Sequence, residues 1–232
     1  MTTQAVSITA GNPTFSKIFT DTATDGVWSG NVLTDTISTQ NIGILIPNAT
    51  LSWVQPEYEA GLMAWRLQNA QTLAVSRFGF GTKATFNSKV PIAPVRVNPN
   101  DILTAYPLPV DGTANKTNAL AWVTTSKGIE LFDSLAVTDA TATEMKTAVN
   151  DQTLGDAFFN STLSAIAVQV EDGATVDRVE IVDNLGGVQM TIQGNVRGQT
   201  PGSRNAYTNL ECSGLSVPIG KGFKLNIVTV SE

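Results

Sequence analysis

From Ala165 to Gly198 the chain reads AIAVQVEDGATVDRVEIVDNLGGVQMTIQGNVRG, the stretch that most narrows what it can fold into. Ile166, Val168 and Val170 alternate with small or polar residues. Val179 and Ile181 alternate with Arg178 and Glu180, and Val188, Met190 and Ile192 alternate with Gln189, Thr191 and Gln193. Successive side chains of a strand point to opposite faces, so each set lines one face of a sheet. Asp172-Gly173 and Asn184-Leu185-Gly186-Gly187 offer tight turns between the three runs. The stretch reads as a three-stranded antiparallel meander with one wet face and one dry face that must be covered.

Weaker forms of the same pattern run through the rest of the chain. Residues 5–9 read as a short strand or part of a flexible arm, and Phe15 to Thr20 as a second strand. Ile42, Ile44 and Ile46 alternate. Leu51, Trp53 and Val54 form a strand stopped by Pro56, and Glu57 to Gln71 fits either a helical turn or a strand. Leu120–Val123 and Ile129–Phe132 make a hairpin around Ser126-Lys127-Gly128. Leu215–Val217 and Phe223–Val230 make a final one around Gly220-Lys221-Gly222. Pro91, Pro94, Pro99, Pro107 and Pro109 mark edge strands or loops, because proline donates nothing to a central ladder. One helix is expected near 141–154: Thr141 and Glu144 form a capping-box pattern, followed by Met145, Ala148 and Val149 at helical spacing.

About ten to twelve short strands with Gly and Pro turns, and no repeat of fixed period, give an all-β chain. The expected fold is a jelly-roll-like β-sandwich with one short helix near 141–154. It occupies a single domain over 1–232 with an N-terminal arm of about residues 1–14. A pair of smaller β domains meeting in the proline-rich stretch is the alternative.

The chemistry that the residues permit is narrow. There is no histidine, which excludes Ser-His-Asp and Cys-His catalysis and any metal site that needs imidazole. Cys212 is the lone cysteine, so it forms no intrachain disulfide. The net charge is −6 and Lys and Arg are scattered singly, so nothing marks a nucleic-acid surface. No apolar run is long enough to span a bilayer, and the first residues lack the basic segment and apolar core of a signal peptide.

Several residue groups can be weighed as sites. Glu57 and Glu59 lie beside Trp53, Tyr58 and Trp65, a pairing of carboxylates and aromatic rings that glycosidases and sugar-binding modules share. Pro56 and the closeness of the two acids in sequence favour surface acids instead. Asp21 with Asp25, and Asp111 with Asn115, are oxygen-rich loops that suit calcium, but they lack the spacing of a calcium loop and read as turns. Gly79-Phe80-Gly81 has no following helix or Lys-Ser/Thr and is not a phosphate loop. Asn48, Asn115 and Asn160 each begin an Asn-x-Thr triplet, and Trp28 and Trp122 read as core or interface anchors. No catalytic, cofactor-binding or metal-binding residue is assigned, no cofactor is expected, and the chain is not expected to be an enzyme.

Only 15% of residues are charged, against roughly 25% in an ordinary soluble domain, and Thr, Asn, Ser, Gln and Gly take their places. With the polar segment MTTQAVSITAGNPTF, Thr/Asn-rich strands, no histidine and a lone cysteine, the chain resembles viral and bacteriophage capsid or capsid-decoration proteins. That resemblance implies a structural virion subunit made in a host cytoplasm. It would form homo-oligomers, trimers or pentamers, and bind other virion proteins, with the arm reaching a neighbour. The alternative is a carbohydrate-binding β-sandwich or a phage receptor-binding head, with Trp53, Tyr58 and Trp65 stacking on a glycan and Asp111 or Asn115 contacting its hydroxyls.

Overall fold

The computed structural model describes residues 3–11, 13–20, 32–58, 60–82, 89–171, 173–197 and 210–231. The chain divides into two compact units, Met1–Pro109 and Val110–Glu232. The first holds β1 (Thr3–Ala10), β2 (Thr14–Thr20), β3 (Val32–Asp35), α1 (Ile42–Leu45), β4 (Thr50–Glu57), β5 (Gly61–Asn69), β6 (Val75–Thr82), β7 (Val90–Arg96) and β8 (Asp101–Pro109). The second holds β9 (Lys116–Thr125), β10 (Gly128–Thr138), β11 (Thr143–Thr147), α2 (Leu154–Ala157), β12 (Ser161–Val170), β13 (Ala174–Val182), β14 (Val188–Arg197), β15 (Leu210–Ile219) and β16 (Lys224–Ser231).

The two units have one topology. The strand order is β6-β5-β8-β3-β2-β1-β4-β7 in the first and β14-β13-β16-β11-β10-β9-β12-β15 in the second, antiparallel throughout. Each contains a Greek key, β4-β1-β2-β3 and β12-β9-β10-β11. A jelly roll whose strands are lettered B to I along the chain stacks them as B-I-D-G and C-H-E-F. β2 to β8 take places B to H, and β1 takes place I. β10 to β16 and β9 do the same in the second unit. Each unit is therefore a jelly roll in which the last strand has moved to the front, joined by a tight hairpin to the strand it lies beside.

Alternation builds a separate core in each unit. Val6, Ile8, Phe15, Leu33, Leu51, Val54, Trp65 and Leu103 are buried together in the first. Ala121, Phe132, Met145, Leu163, Val179 and Ile227 are buried together in the second. The short helices follow the third strand of each unit. Asn41 and Thr153 cap them, their side-chain oxygens accepting from Ile44 N (3.2 Å) and Asp156 N (3.1 Å).

The all-β, jelly-roll-like class holds, while several local expectations are corrected. The single domain over 1–232 gives way to two units, the first ending at Pro109. Residues 3–10, expected within an arm, form a central strand that pairs with β2 on one side and β4 on the other. The helix near 141–154 is replaced by strand β11 and a turn: β11 buries Met145 and Thr147 at alternate positions and pairs with β10 and β16, residues 148–150 turn, and helix begins only with α2 at Leu154. Thr141 caps nothing; its N–H donates to Thr138 O. The meander is broken between β12 and β13, because β12 pairs with β9 and β15 while β13 pairs with β14 and β16; Asp172 of the expected turn lies outside the described residues. β15 and β16 likewise belong to different ladders and form no hairpin. Ile42 and Ile44 lie on α1, and Glu57 to Gln71 resolves into the end of β4 and β5.

The prolines sit where a ladder lacks one neighbour. Pro91 and Pro94 lie on β7, an outermost strand. Pro56 pairs with Ile8 after the described β4–β7 ladder has ended at Val54. Pro107 pairs with Met63 beyond Thr104, where the described β3–β8 ladder ends. β7 is also held by a side chain from the opposite outermost strand: Arg77 of β6 donates Nε to Ala93 O (2.8 Å) and Nη2 to Pro94 O (3.1 Å).

Candidate functional site

The aromatic and acidic group of the first unit does not converge on an open surface. Tyr58 and Trp65 are buried in the core, and Trp65 lies flat against Gly79, where a Cβ would stand 3.0 Å from the indole. Trp53 alone of the three is half-exposed, on the opposite face of β4, with Lys89 Nζ 4.5 Å from its ring centroid. A glycan platform of Trp53, Tyr58 and Trp65 is thus not formed. Glu57 accepts from Ser7 Oγ (3.3 Å) and Gln55 Nε2 (2.6 Å) on the outward side of the sheet. Glu59 lies outside the described residues, as do Asp21, Asp25 and Trp28. Trp122 is fully buried.

Asp111 and Asn115 act as turn formers. Asp111 Oδ1 accepts from Thr113 N (2.9 Å), and Asn115 has φ 59° with its carbonyl accepting from Asp139 N. Asn48 (φ 67°) and Asn160 (φ 62°) are left-handed too, so all three Asn-x-Thr triplets place asparagine where its tolerance of positive φ is used. Cys212 is half-buried on β15 against the second core. Among the described residues no three His, Cys, Asp or Glu side chains lie close enough to hold a metal ion. No described helix is long and apolar enough to cross a membrane.

Asp35, Asp101 and Glu171 are buried carboxylates that no sequence pattern marks, and Glu171 is the one whose pKa is raised. Glu171 follows β12 and is 3% exposed. Its Oε1 accepts from Asp111 N (2.9 Å) and its Oε2 from Thr117 Oγ1 (3.4 Å), while its own N–H donates to Asn118 O. Burial pushes its pKa from 4.5 up to about 7, against the lowering effect of the hydrogen bonds from Asp111 and Asn118, and the charge of Asp111 adds to the rise. Enclosed in this way, the carboxyl ties the segment before β9 to the end of β12 and can exchange a proton near neutrality. Asp35 and Asp183 are the opposite case. Hydrogen bonds from Ser38, and from Gly187 and Leu185, hold these turn-capping carboxyls below the usual range.

The sequence signal most easily missed is the duplication. TQNIGILIPNATL (39–51) and DQTLGDAFFNSTL (151–163) share Gln, Gly, Asn, Thr and Leu at matching positions. The geometry matches as well. Gln40 O and Gln152 O close the preceding turns by accepting from Asp35 N (2.8 Å) and Thr147 N (2.9 Å). Gly43 and Gly155 each press against the turn before the last strand of their unit. An added Cβ would stand 2.6 Å from Pro99 O and Asp101 O in one, and 2.6 Å from Gly220 O and Gly222 N in the other.

No family model, curated protein or solved structure matches the chain.

Proposed function

We propose that the chain is a structural subunit of a virus or phage particle and acts through contacts between copies, without catalysis. The observation that carries this reading is the tandem pair of jelly-roll units of one topology, each with its own core. The low charge adds support, since copies of a weakly charged polar surface meet with little repulsion. Burial of Tyr58 and Trp65 argues against the sugar-binding alternative, which needs those rings on a surface.

The reading is tested by measuring the mass of the purified chain by light scattering after size exclusion over a range of concentrations. Trimers, pentamers or larger particles are the expected result. A chain that stays monomeric at the highest concentration reached would count against it.

A further inference from the structure

Strand directions in a jelly roll bring the loops before its third, fifth and seventh strands, counted as C–D, E–F and G–H, to one end. In the first unit Gly43 abuts the carbonyls of Asn98, Pro99 and Asp101. Ala70 N donates to Asn100 O (2.8 Å), and Asn100 Nδ2 donates to Gln71 Oε1 (3.4 Å). In the second, Gly155 abuts Gly220, Gly222 and Phe223, and Gly222 lies against Asn184. Each end therefore gathers the C–D, E–F and G–H loops.

Both ends hold aliphatic side chains out into water from turns that are locked from behind. In the 35–40 turn Asp35 Oδ2 accepts from Ile37 N (3.1 Å) and Ser38 N (2.7 Å), and Ile37 is 92% exposed. Val149 holds the matching place in the 147–152 turn and is 51% exposed. The β5–β6 turn, where Asn69 Oδ1 accepts from Gln71 N and Thr72 N (both 3.0 Å), exposes Leu73 by 64%. The β13–β14 turn, where Asp183 Oδ1 accepts from Leu185 N and Gly187 N (both 2.8 Å), exposes Leu185 by 89%. Turns of this kind favour Gly, Asn, Asp and Ser. Leu73 moreover sits at φ 59°, a conformation that disfavours a bulky side chain. The two units have diverged at most positions of their matched segments, yet each keeps this pair of apolar tips.

We infer that this end of each unit is a contact surface for another copy of the same chain. Three observations select that occupant. Residues 36–41, 70–74 and 97–100 contain no Asp, Glu, Lys or Arg, and the adjoining exposed Arg96 donates Nη2 to Asn48 Oδ1 (2.7 Å), so the loops of the first end carry no charge of their own. At the second end Asp151 pairs with Lys146 (3.2 Å), Asp156 accepts from Thr153 Oγ1 and Asp183 from its own turn, and the exposed Lys221 has no charged counterpart in the loops of the first end, so a partner chosen by charge could not take both ends alike. Lastly, a few aliphatic tips fall short of the ~800 Å² per partner of a stable pair, so one end alone holds nothing firmly. A chain with two like ends gains strength only from a partner that also presents several, which another copy does.

This inference rests on the proposed assembly through like contacts, and the test separates the two. Sedimentation velocity on the full chain would compare the parent with the double variants Ile37→Asp/Leu73→Asp and Val149→Asp/Leu185→Asp, and with Ile18→Asp, an exposed β2 position away from both ends. The parent and Ile18→Asp are expected to assemble alike, and each double variant to need about tenfold more protein or more to reach the same mass. Leu73→Gly adds a readout that a structural role would not move: it relieves the positive φ and should melt no lower than the parent, yet assemble more weakly. Should an aspartate variant misfold, Ile37→Ser and Leu73→Gly carry the same comparison. Double variants that assemble with the parent's concentration dependence overturn the role of the ends and leave self-association standing. A parent that stays monomeric overturns both.

Discussion

Asn48 and Asn160 occupy one structural place in two units. Their φ angles are 67° and 62°, and their backbone N–H groups donate to Val97 O (2.8 Å) and Ile219 O (3.0 Å). Each lies two residues past a helix C-cap, Ile46 or Phe158, and turns the chain back into a strand, β4 or β12. The residue is kept because the left-handed conformation penalises almost every side chain except asparagine, aspartate and glycine.

Replacing Asn160 by Ala should therefore lower stability by about 1–2 kcal/mol, whereas Asn160→Gly should be close to neutral. Denaturant unfolding of the two variants decides it. Equal losses would mean that the side chain, and not the backbone conformation, carries the effect.

Gly155→Ala is expected to be among the most damaging single-methyl changes in the second unit. Its Cβ would meet backbone atoms of Gly220 and Gly222 at 2.6 Å, and backbone cannot rotate away as a side-chain tip can. A loss of about 1–3 kcal/mol or more is expected from such overpacking, read as a lower denaturation midpoint. Gly43→Ala should act similarly on the first unit.

Glu171 makes stability depend on pH near neutrality. Its pKa is about 7 in the folded chain and near its ordinary value of 4.5 once unfolded, so between these values the native state holds more proton. Stability from this group is then complete below 4.5 and is lost as pH rises through about 7. Thermal melts at about pH 5 and about pH 8 should show a drop that Glu171→Gln reduces. An unchanged drop in the variant would assign it to other groups.

Arg77→Ala should weaken the first unit by about 1 kcal/mol, since Ala93 O and Pro94 O lose their guanidinium donors. Arg77→Lys should restore little, because one ammonium cannot reproduce two donors set by a planar fork. Proteolysis within residues 90–96 gives a local readout, and equal cleavage in all three proteins would mean that the latch holds nothing.

Period-two alternation of apolar residues, written into Val179–Ile181 and Val188–Ile192, determined that the chain is made of strands. Proline at 91 and 94 determined which strand could lie outermost, since a missing donor is a local property. The absence of histidine bounded the chemistry in the same direct way. Pairing was another matter. An Asp-Gly pair in the sequence, as at 172–173, suits strands that pair and strands that part into separate ladders equally, and partners distant in sequence, β9 and β15 on one side and β14 and β16 on the other, decided between them. Met145, Ala148 and Val149 suited a helix until β10 and β16 supplied hydrogen-bond partners for a strand. Glu171 carries no mark of burial in its neighbours along the chain, because its enclosure comes from Asp111, Thr117 and Asn118. The duplication stayed hidden for a related reason: a core accepts Ile42 or Leu154, and Ile46 or Phe158, at matched places, so apolar identity drifts. Backbone demands, at the packed Gly43 and Gly155 and the left-handed Asn48 and Asn160, held some of the letters fixed, and tertiary contact is what created those demands.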